Sequence, residues 1–250
     1  MPHLFQPAGE AALAAVLRRG PLLGFDFDGT LAPIVTTPAQ ARISRSVSDK
    51  LRRLSARLPV AVVSGRSIAD LGTRLDFTPH YVVGNHGAEF SAEDAARDST
   101  RLDDARRLLA AHGEALARWG VVLEDKGLSL ALHYRLSRSR EQACEAIRQA
   151  LRPIEGEYRT FAGKMVENIV PADATDKGGA MHALARHCGA SCAFFIGDDV
   201  NDEAVFASAP PDWLTVRVGR DDPDSRARFF LDGTAEVALL LDRMLVHLGA

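Results

Sequence analysis

Short apolar runs at 22–25, 60–63, 81–83, 193–196 and 214–218 alternate with segments of helical periodicity, and this alternation constrains the fold class before any single residue is read. The runs are rich in β-branched and aromatic residues and too short for helices, as expected of buried strands. Between them, 44–58 places Leu51, Leu54 and Leu58 at helical spacing, and Ser67-Ile68-Ala69-Asp70 reads as a capping box opening a short helix. Strand alternating with helix predicts an α/β fold built on a doubly wound parallel sheet.

The alternation changes character between 91 and 170. A polar segment at 91–100 leads to a predicted helix at 101–119, strands at 121–123 and 128–134, a helix at 139–151 and a strand at 165–170. The two strands joined through Asp125-Lys126-Gly127 form a hairpin pattern, not a crossover. The expectation is therefore an α+β domain, 91–170, inserted into a sheet domain formed by 1–90 and 171–250.

Bulk properties narrow the partner. A formal net charge of −3 without a basic stripe argues against nucleic acid or an anionic membrane surface as the main partner. Cys144, Cys188 and Cys192 show no disulfide pattern, which fits a reducing compartment. The apolar stretch 11–17 follows Glu10 and precedes Arg18-Arg19, the reverse of a secretory signal. No apolar run approaches the roughly 18 residues of a membrane span. The expected location is the cytoplasm.

Four motifs fall just beyond strands or at helix starts. Asp26 and Asp28 follow the first strand two residues apart, which in a pleat puts both carboxylates on one side of the chain; Asp28-Gly29 is also a common turn dipeptide. Ser64-Gly65-Arg66 follows the second strand with a hydroxyl and free backbone N–H groups suited to an anion, or to helix capping, for which Ser67 is also available. Lys177 opens a helix, where a cation opposes the dipole unless something negative lies there; a solvated lysine is the plainer reading. Gly197-Asp198-Asp199-Val200-Asn201-Asp202-Glu203 gathers four carboxylates that would repel one another without a cation, and an all-oxygen set suits Mg²⁺; such a loop also caps helices. Only four of the 30 basic residues are lysines, namely Lys50, Lys126, Lys164 and Lys177. A lysine kept where arginine is the rule can mark a need for a compact ammonium.

In this order the motifs resemble those of the haloacid dehalogenase (HAD) superfamily, with its Asp-x-Asp-Gly-Thr, then Ser, then Lys, then Gly-Asp-Asp, and the insert resembles its C2-type cap. Asp26-Phe27-Asp28-Gly29-Thr30-Leu31-Ala32-Pro33-Ile34, Val63-Ser64-Gly65-Arg66, Gly84-Asn85-His86-Gly87-Ala88-Glu89, Lys126-Gly127, His133-Tyr134-Arg135, Gly163-Lys164 and Val216-Arg217-Val218-Gly219 more narrowly resemble the trehalose-6-phosphate phosphatase family. Two residues depart from it: Asn201 stands where many members have Thr, and Asn168, with Glu167 beside it, stands where many have a cap Glu.

The resemblance implies a Mg²⁺-dependent phosphomonoesterase of trehalose biosynthesis acting on a sugar phosphate. Asp26 is the implied nucleophile, Asp28 the acid and base, and Ser64 and Lys177 the phosphate holders. Asp26, Asp28 (through its carbonyl) and Asp198 are the implied metal ligands, with Asp199 and Asp202 behind them. Arg66, His86, Lys126, Lys164 and either Glu167 or Asn168 are the implied substrate contacts, with Glu124 a further candidate. Neighbouring strand residues face opposite ways, so only one of 167 and 168 can meet the sugar. Phosphatases of other sugar phosphates or glycosyl phosphoglycerates, and a catalytically silent binding domain, remain alternatives.

Overall fold

The computed structural model describes residues 1–35, 38–91 and 99–249. Its elements in chain order are α1 (Pro7–Leu17), β1 (Leu22–Phe25), α2 (Arg45–Ser55), β2 (Val60–Val63), α3 (Ile68–Gly72), β3 (Tyr81–Val83), α4 (Asp103–Ala111), α5 (Gly113–Arg118), β4 (Val122–Asp125), β5 (Leu130–His133), α6 (Arg140–Leu151), β6 (Tyr158–Gly163), β7 (Val166–Pro171), α7 (Lys177–His187), β8 (Ala193–Gly197), α8 (Glu203–Ser208), β9 (Leu214–Val218), β10 (Phe229–Leu231) and α9 (Thr234–His247). The chain divides into two compact units, Met1–Gly87 with Thr175–Ala250, and Ala88–Ala174.

The first unit is a six-stranded sheet of order β10-β9-β8-β1-β2-β3 in which every pairing is parallel. The five expected apolar runs are five of its six strands, and burial explains their composition: β1, β2, β8 and β9 are buried at every position. Burying a single Phe or Leu of this kind contributes about 1.5–3 kcal/mol. From β1 the chain builds one way through β2 and β3, and later the other way through β8, β9 and β10. The order therefore reverses beside β1, at the carboxyl edge where open sheets bind ligands. Phe25 pairs with Ile196 on one side and Val62 on the other, so the residues that follow these strands leave at one level.

The second unit is an antiparallel sheet of order β4-β5-β7-β6. Leu130, Leu132 and Ile169 share one face and pack with Leu109, Leu116 and Ile147 of the helices. Ala131 and Asn168 are paired on the opposite face.

Several local expectations are corrected. The single helix at 101–119 is two helices parted at His112, preceded by a 3-10 turn, Ser99–Leu102. Strands β6 and β10 carried no clear signal: β6 has a polar, half-exposed pattern with Arg159 and a closing glycine, and β10 is only Phe229–Leu231. Ser67 does cap α3, its Oγ accepting from Asp70 N at 3.2 Å, but the Asp70 carboxylate is engaged by Arg66 and Arg74. The apolar stretch 11–17 lies in α1, whose Leu13, Val16 and Leu17 are buried in the sheet unit's core. Most of the polar segment 91–100 lies outside the described residues. Among the described residues, no helix is long and apolar enough to cross a membrane.

Candidate active site

Asp26 stands immediately beyond β1, at the reversal of strand order, and is 4% exposed. Its Oδ1 accepts from Lys177 Nζ at 2.7 Å, and the same ammonium donates to Asp202 Oδ1 at 2.7 Å. Lys177 is the first residue of α7, capped by Asp176, whose Oδ1 accepts from Gly179 N at 2.8 Å. The negative partner expected at this helix start is thus a pair of buried carboxylates. They outweigh the desolvation that disfavours a buried ammonium and raise the Lys177 pKa, so the side chain stays charged.

Asp26 feels the opposite balance. Burial pushes its carboxyl well above the ordinary range, Lys177 pulls it down, and Asp202 and Asp198 push it up again. One ammonium does not offset three buried acids. Oxygens of Asp26, Asp198 and Asp202 lie within 4.8 Å of one another, a hard-oxygen donor set that fits a divalent cation. Gly29 lets Asp198 approach: its φ is 78°, and a Cβ there would stand 1.9 Å from Asp198 Oδ2.

The four carboxylates of the acidic loop part ways. Asp198 and Asp202 turn toward Asp26, whereas Asp199 accepts from Val200 N at 2.9 Å and Asn201 Nδ2 at 3.3 Å. Asp202 Oδ2 accepts from Asp199 N at 2.9 Å and ties the loop together. Glu203 is bound elsewhere, by Arg217 at 3.2 Å, Ser225 Oγ at 2.5 Å and Arg226 N at 2.9 Å. Sequence reading missed this Arg217 anchor, because its partner lies 14 residues away on another element.

Asp28 does not share the Lys177 contact. Its carboxylate is gripped by Arg66, Nε to Oδ2 at 2.6 Å and Nη2 to Oδ1 at 2.8 Å. Arg66 Nη1 in turn donates to Asp70 Oδ2 at 2.7 Å, and Arg74 holds the same Asp70 through Nε at 2.7 Å. The i, i+4 spacing of Arg66, Asp70 and Arg74 was the signal available for this chain of charges. Burial raises the Asp70 carboxyl, but the hydrogen bonds and charges of Arg74 and Arg66 outweigh it and leave the pKa lowered. A lowered folded value stabilises above the unfolded pKa, and that stability is lost as pH falls through the folded one. Asp70→Ala is expected to cost about 1–3 kcal/mol at neutral pH by the usual worth of charged hydrogen bonds, and less in acid. Urea unfolding at pH 7 and pH 3 reads the difference; an equal loss at both would refute it.

Ser64 is buried, and its Oγ accepts from Arg66 N at 3.2 Å. His86, in the turn Asn85–Gly87, adopts a left-handed φ of 61° and is buried. A Cβ on Gly65 would come within 2.3 Å of the His86 Cε1 atom, so the Ser-Gly-Arg glycine is required by that ring.

The remaining candidates belong to the second unit. Lys126 lies in the turn between β4 and β5, its backbone N–H donating to Ser129 O at 3.0 Å and its Nζ 3.8 Å from Glu124. Glu124 also meets His133 Nε2 at 2.7 Å. Lys164 sits with Met165, φ 65°, in the tight turn between β6 and β7. Glu167 pairs with Leu132 on the helix-covered face. Asn168, buried and 3.5 Å from Phe161 O through Nδ2, pairs with Ala131 on the other face, where Glu124 and His133 also lie by register.

A family model described as trehalose-phosphatase matches residues 24–233, a span that includes every motif above. The chain belongs to the trehalose-phosphatase family. A curated trehalose-phosphate phosphatase of Mycobacterium avium is 34% identical over 248 residues, covering 90% of this chain and 62% of the relative. The chain thus spans less than two thirds of that relative's length. Among solved structures, the C-terminal domain of a C. albicans trehalose-6-phosphate phosphatase superposes with a TM-score of 0.79 at 22% identity, covering 99% of this chain and 98% of the other. An Aspergillus fumigatus trehalose-6-phosphate phosphatase superposes with a TM-score of 0.66 at 25% identity over the whole of both chains. These likenesses agree with the α/β architecture of a parallel sheet unit carrying a separate antiparallel sheet. Membership also agrees with reading the acidic cluster as a divalent-metal site.

Proposed function

We propose that this chain is a Mg²⁺-dependent phosphatase that hydrolyses trehalose 6-phosphate to trehalose and phosphate. The observation that carries the reading is the buried Asp26, bonded to Lys177 and set among Asp198 and Asp202 at the reversal of strand order. In this reading Asp26 attacks phosphorus, the bond to the sugar oxygen breaks, and Asp28 gives that oxygen its proton. Water, losing a proton to Asp28, then cleaves the aspartyl-phosphate and regenerates Asp26. Lys177 and Ser64 hold phosphate oxygens, the ammonium exchanging part of its carboxylate contact for the phosphoryl group. Asp28 must first leave the Arg66 fork, and Asp70 keeps that guanidinium in place when it does.

Mg²⁺ held by Asp26, Asp198 and the Asp28 carbonyl would supply positive charge against the transferring phosphoryl group. Asp199 and Asp202 brace the loop that carries Asp198. In the same reading residues 91–170 serve substrate specificity, and the core residues Arg66 and His86 assist. Lys126, Lys164, Glu124 and Asn168 meet sugar hydroxyls, Asn168 being favoured over Glu167 because by register it shares a sheet face with Glu124; an amide binds hydroxyls as a carboxylate does.

The test is phosphate release from trehalose 6-phosphate, glucose 6-phosphate and glucosyl phosphoglycerate, with Mg²⁺ and with EDTA. Trehalose 6-phosphate is expected to exceed the others in kcat/KM by about 100-fold or more, the discrimination available to a site built around specific hydroxyls. EDTA should abolish turnover and Mg²⁺ restore it. Equal rates on glucose 6-phosphate would defeat the substrate assignment, and turnover in EDTA the metal.

A further inference from the structure

The helix side of the antiparallel sheet holds a cavity of about 560 Å³, within the roughly 300–1,000 Å³ usual for small-molecule sites. Its described lining comes wholly from the second unit, and the proposed reaction makes no use of it. The strand residues reaching it, Tyr158, Thr160 and Glu167, share the face of Leu132 and Ile169, opposite Asn168. Helix α6 closes the other side with the apolar Ile147 and Leu151 and with the Cys144 thiol.

Three features define what would fill this space. Tyr134 and Tyr158 line it and can offer flat apolar rings whose hydroxyl ends also form hydrogen bonds. Glu167, with a hydrogen bond to Thr160, provides a carboxyl inside it, which burial pushes above its ordinary pKa. The lining carries three carboxylates, Glu145, Glu155 and Glu167, against the guanidinium groups of Arg148 and Arg152, and Arg148 is already bound to Glu145 at 2.8 Å. That balance disfavours an anion. Aromatic faces beside a carboxyl and hydroxyls match a pyranose, which has apolar C–H faces and a rim of hydroxyl donors.

We propose that this cavity is a second small-molecule site, on the helix side of the inserted unit, for a neutral saccharide. Trehalose is the first probe, a choice that rests on the function proposed above, since it would be the neutral product. The site would then sense product in a place separate from the carboxylates that form it.

Cys144 supplies a readout that needs no turnover. It is half-buried in the cavity wall, while Cys188, also half-buried, lies in the other unit and serves as internal reference. The full chain is alkylated with N-ethylmaleimide and each thiol followed by peptide mass spectrometry while trehalose is titrated. At about ten times its dissociation constant, trehalose is expected to slow Cys144 labelling about tenfold, as 1 + [L]/Kd requires, and to leave Cys188 unchanged. Glu167→Gln with Thr160→Ala should move the protection midpoint up by about tenfold, the worth of one charged hydrogen bond. Trehalose 6-phosphate should protect less well than trehalose.

Absence of protection by trehalose and by the neutral saccharides maltose and sucrose would overturn the proposal. So would protection that the double variant leaves unmoved, or stronger protection by the phosphorylated sugar. Because labelling is independent of catalysis, an active enzyme without protection refutes this site alone. A protected chain that releases no phosphate refutes only the proposed activity.

Discussion

Asp26→Asn is expected to lower kcat by about 10⁴-fold or more under the proposed mechanism, in which losing the covalent nucleophile leaves only binding and positioning. The same change is expected to stabilise the metal-free protein. The raised pKa of Asp26 states that its ionised form costs the fold more through burial, Asp202 and Asp198 than Lys177 returns. Replacing such a charge by an amide of the same shape is neutral or stabilising by about 1 kcal/mol or more. The pH dependence has a definite sign. With the folded value above the unfolded one of about 3.9, the native state binds more protons, so wild-type stability declines as pH rises through that interval. The asparagine variant should lack this decline. Single-turnover phosphate release and urea unfolding from pH 4 to 8 measure both effects; activity within tenfold of wild type would mean another group attacks phosphorus.

Lys177→Met should carry the largest stability loss, about 3–5 kcal/mol, because it strands the carboxylates of Asp26 and Asp202 in a site where both are nearly inaccessible to water. Turnover should vanish as well, but the energetic signature is the more discriminating one. Combining Lys177→Met with Asp26→Asn removes one of the stranded charges, so the double variant should recover about 1–3 kcal/mol relative to the sum of the singles. Additivity within about 0.5 kcal/mol would show that the two side chains do not act on each other.

The parallel sheet was legible because its signal is local. Fully buried strands such as 60–63 must be apolar throughout, and the residues that follow them are set by chain order alone. The same logic exposed Asp26, Ser64, Lys177 and Asp198 as candidates, since each directly follows a strand or opens a helix. What could not be read was pairing across the chain. The resemblance offered Arg66 as a substrate contact, but nothing local showed that Asp28 and Asp70 both hold it. Glu203 looked like a member of the acidic cluster, yet Arg217 draws it away. Which sheet face Glu167 and Asn168 each occupy needed strand register, because a shift of one residue exchanges the two faces. Strand β6 escaped notice since a half-exposed strand with scattered polar residues has no strong period.

The chain leaves the parallel sheet at Gly87 and returns at Thr175, and these points adjoin: a Cβ on Gly87 would sit 2.3 Å from the carbonyl of Asp176. The host fold therefore clamps both ends of the interruption by itself, and the entropy of closing so long a loop is offset whether or not the intervening chain is folded. Such a junction works as a socket. Segments of different length and sequence can be exchanged there without disturbing Lys177, two residues after the return, so the buried ammonium and its two carboxylates are kept whatever the insert carries.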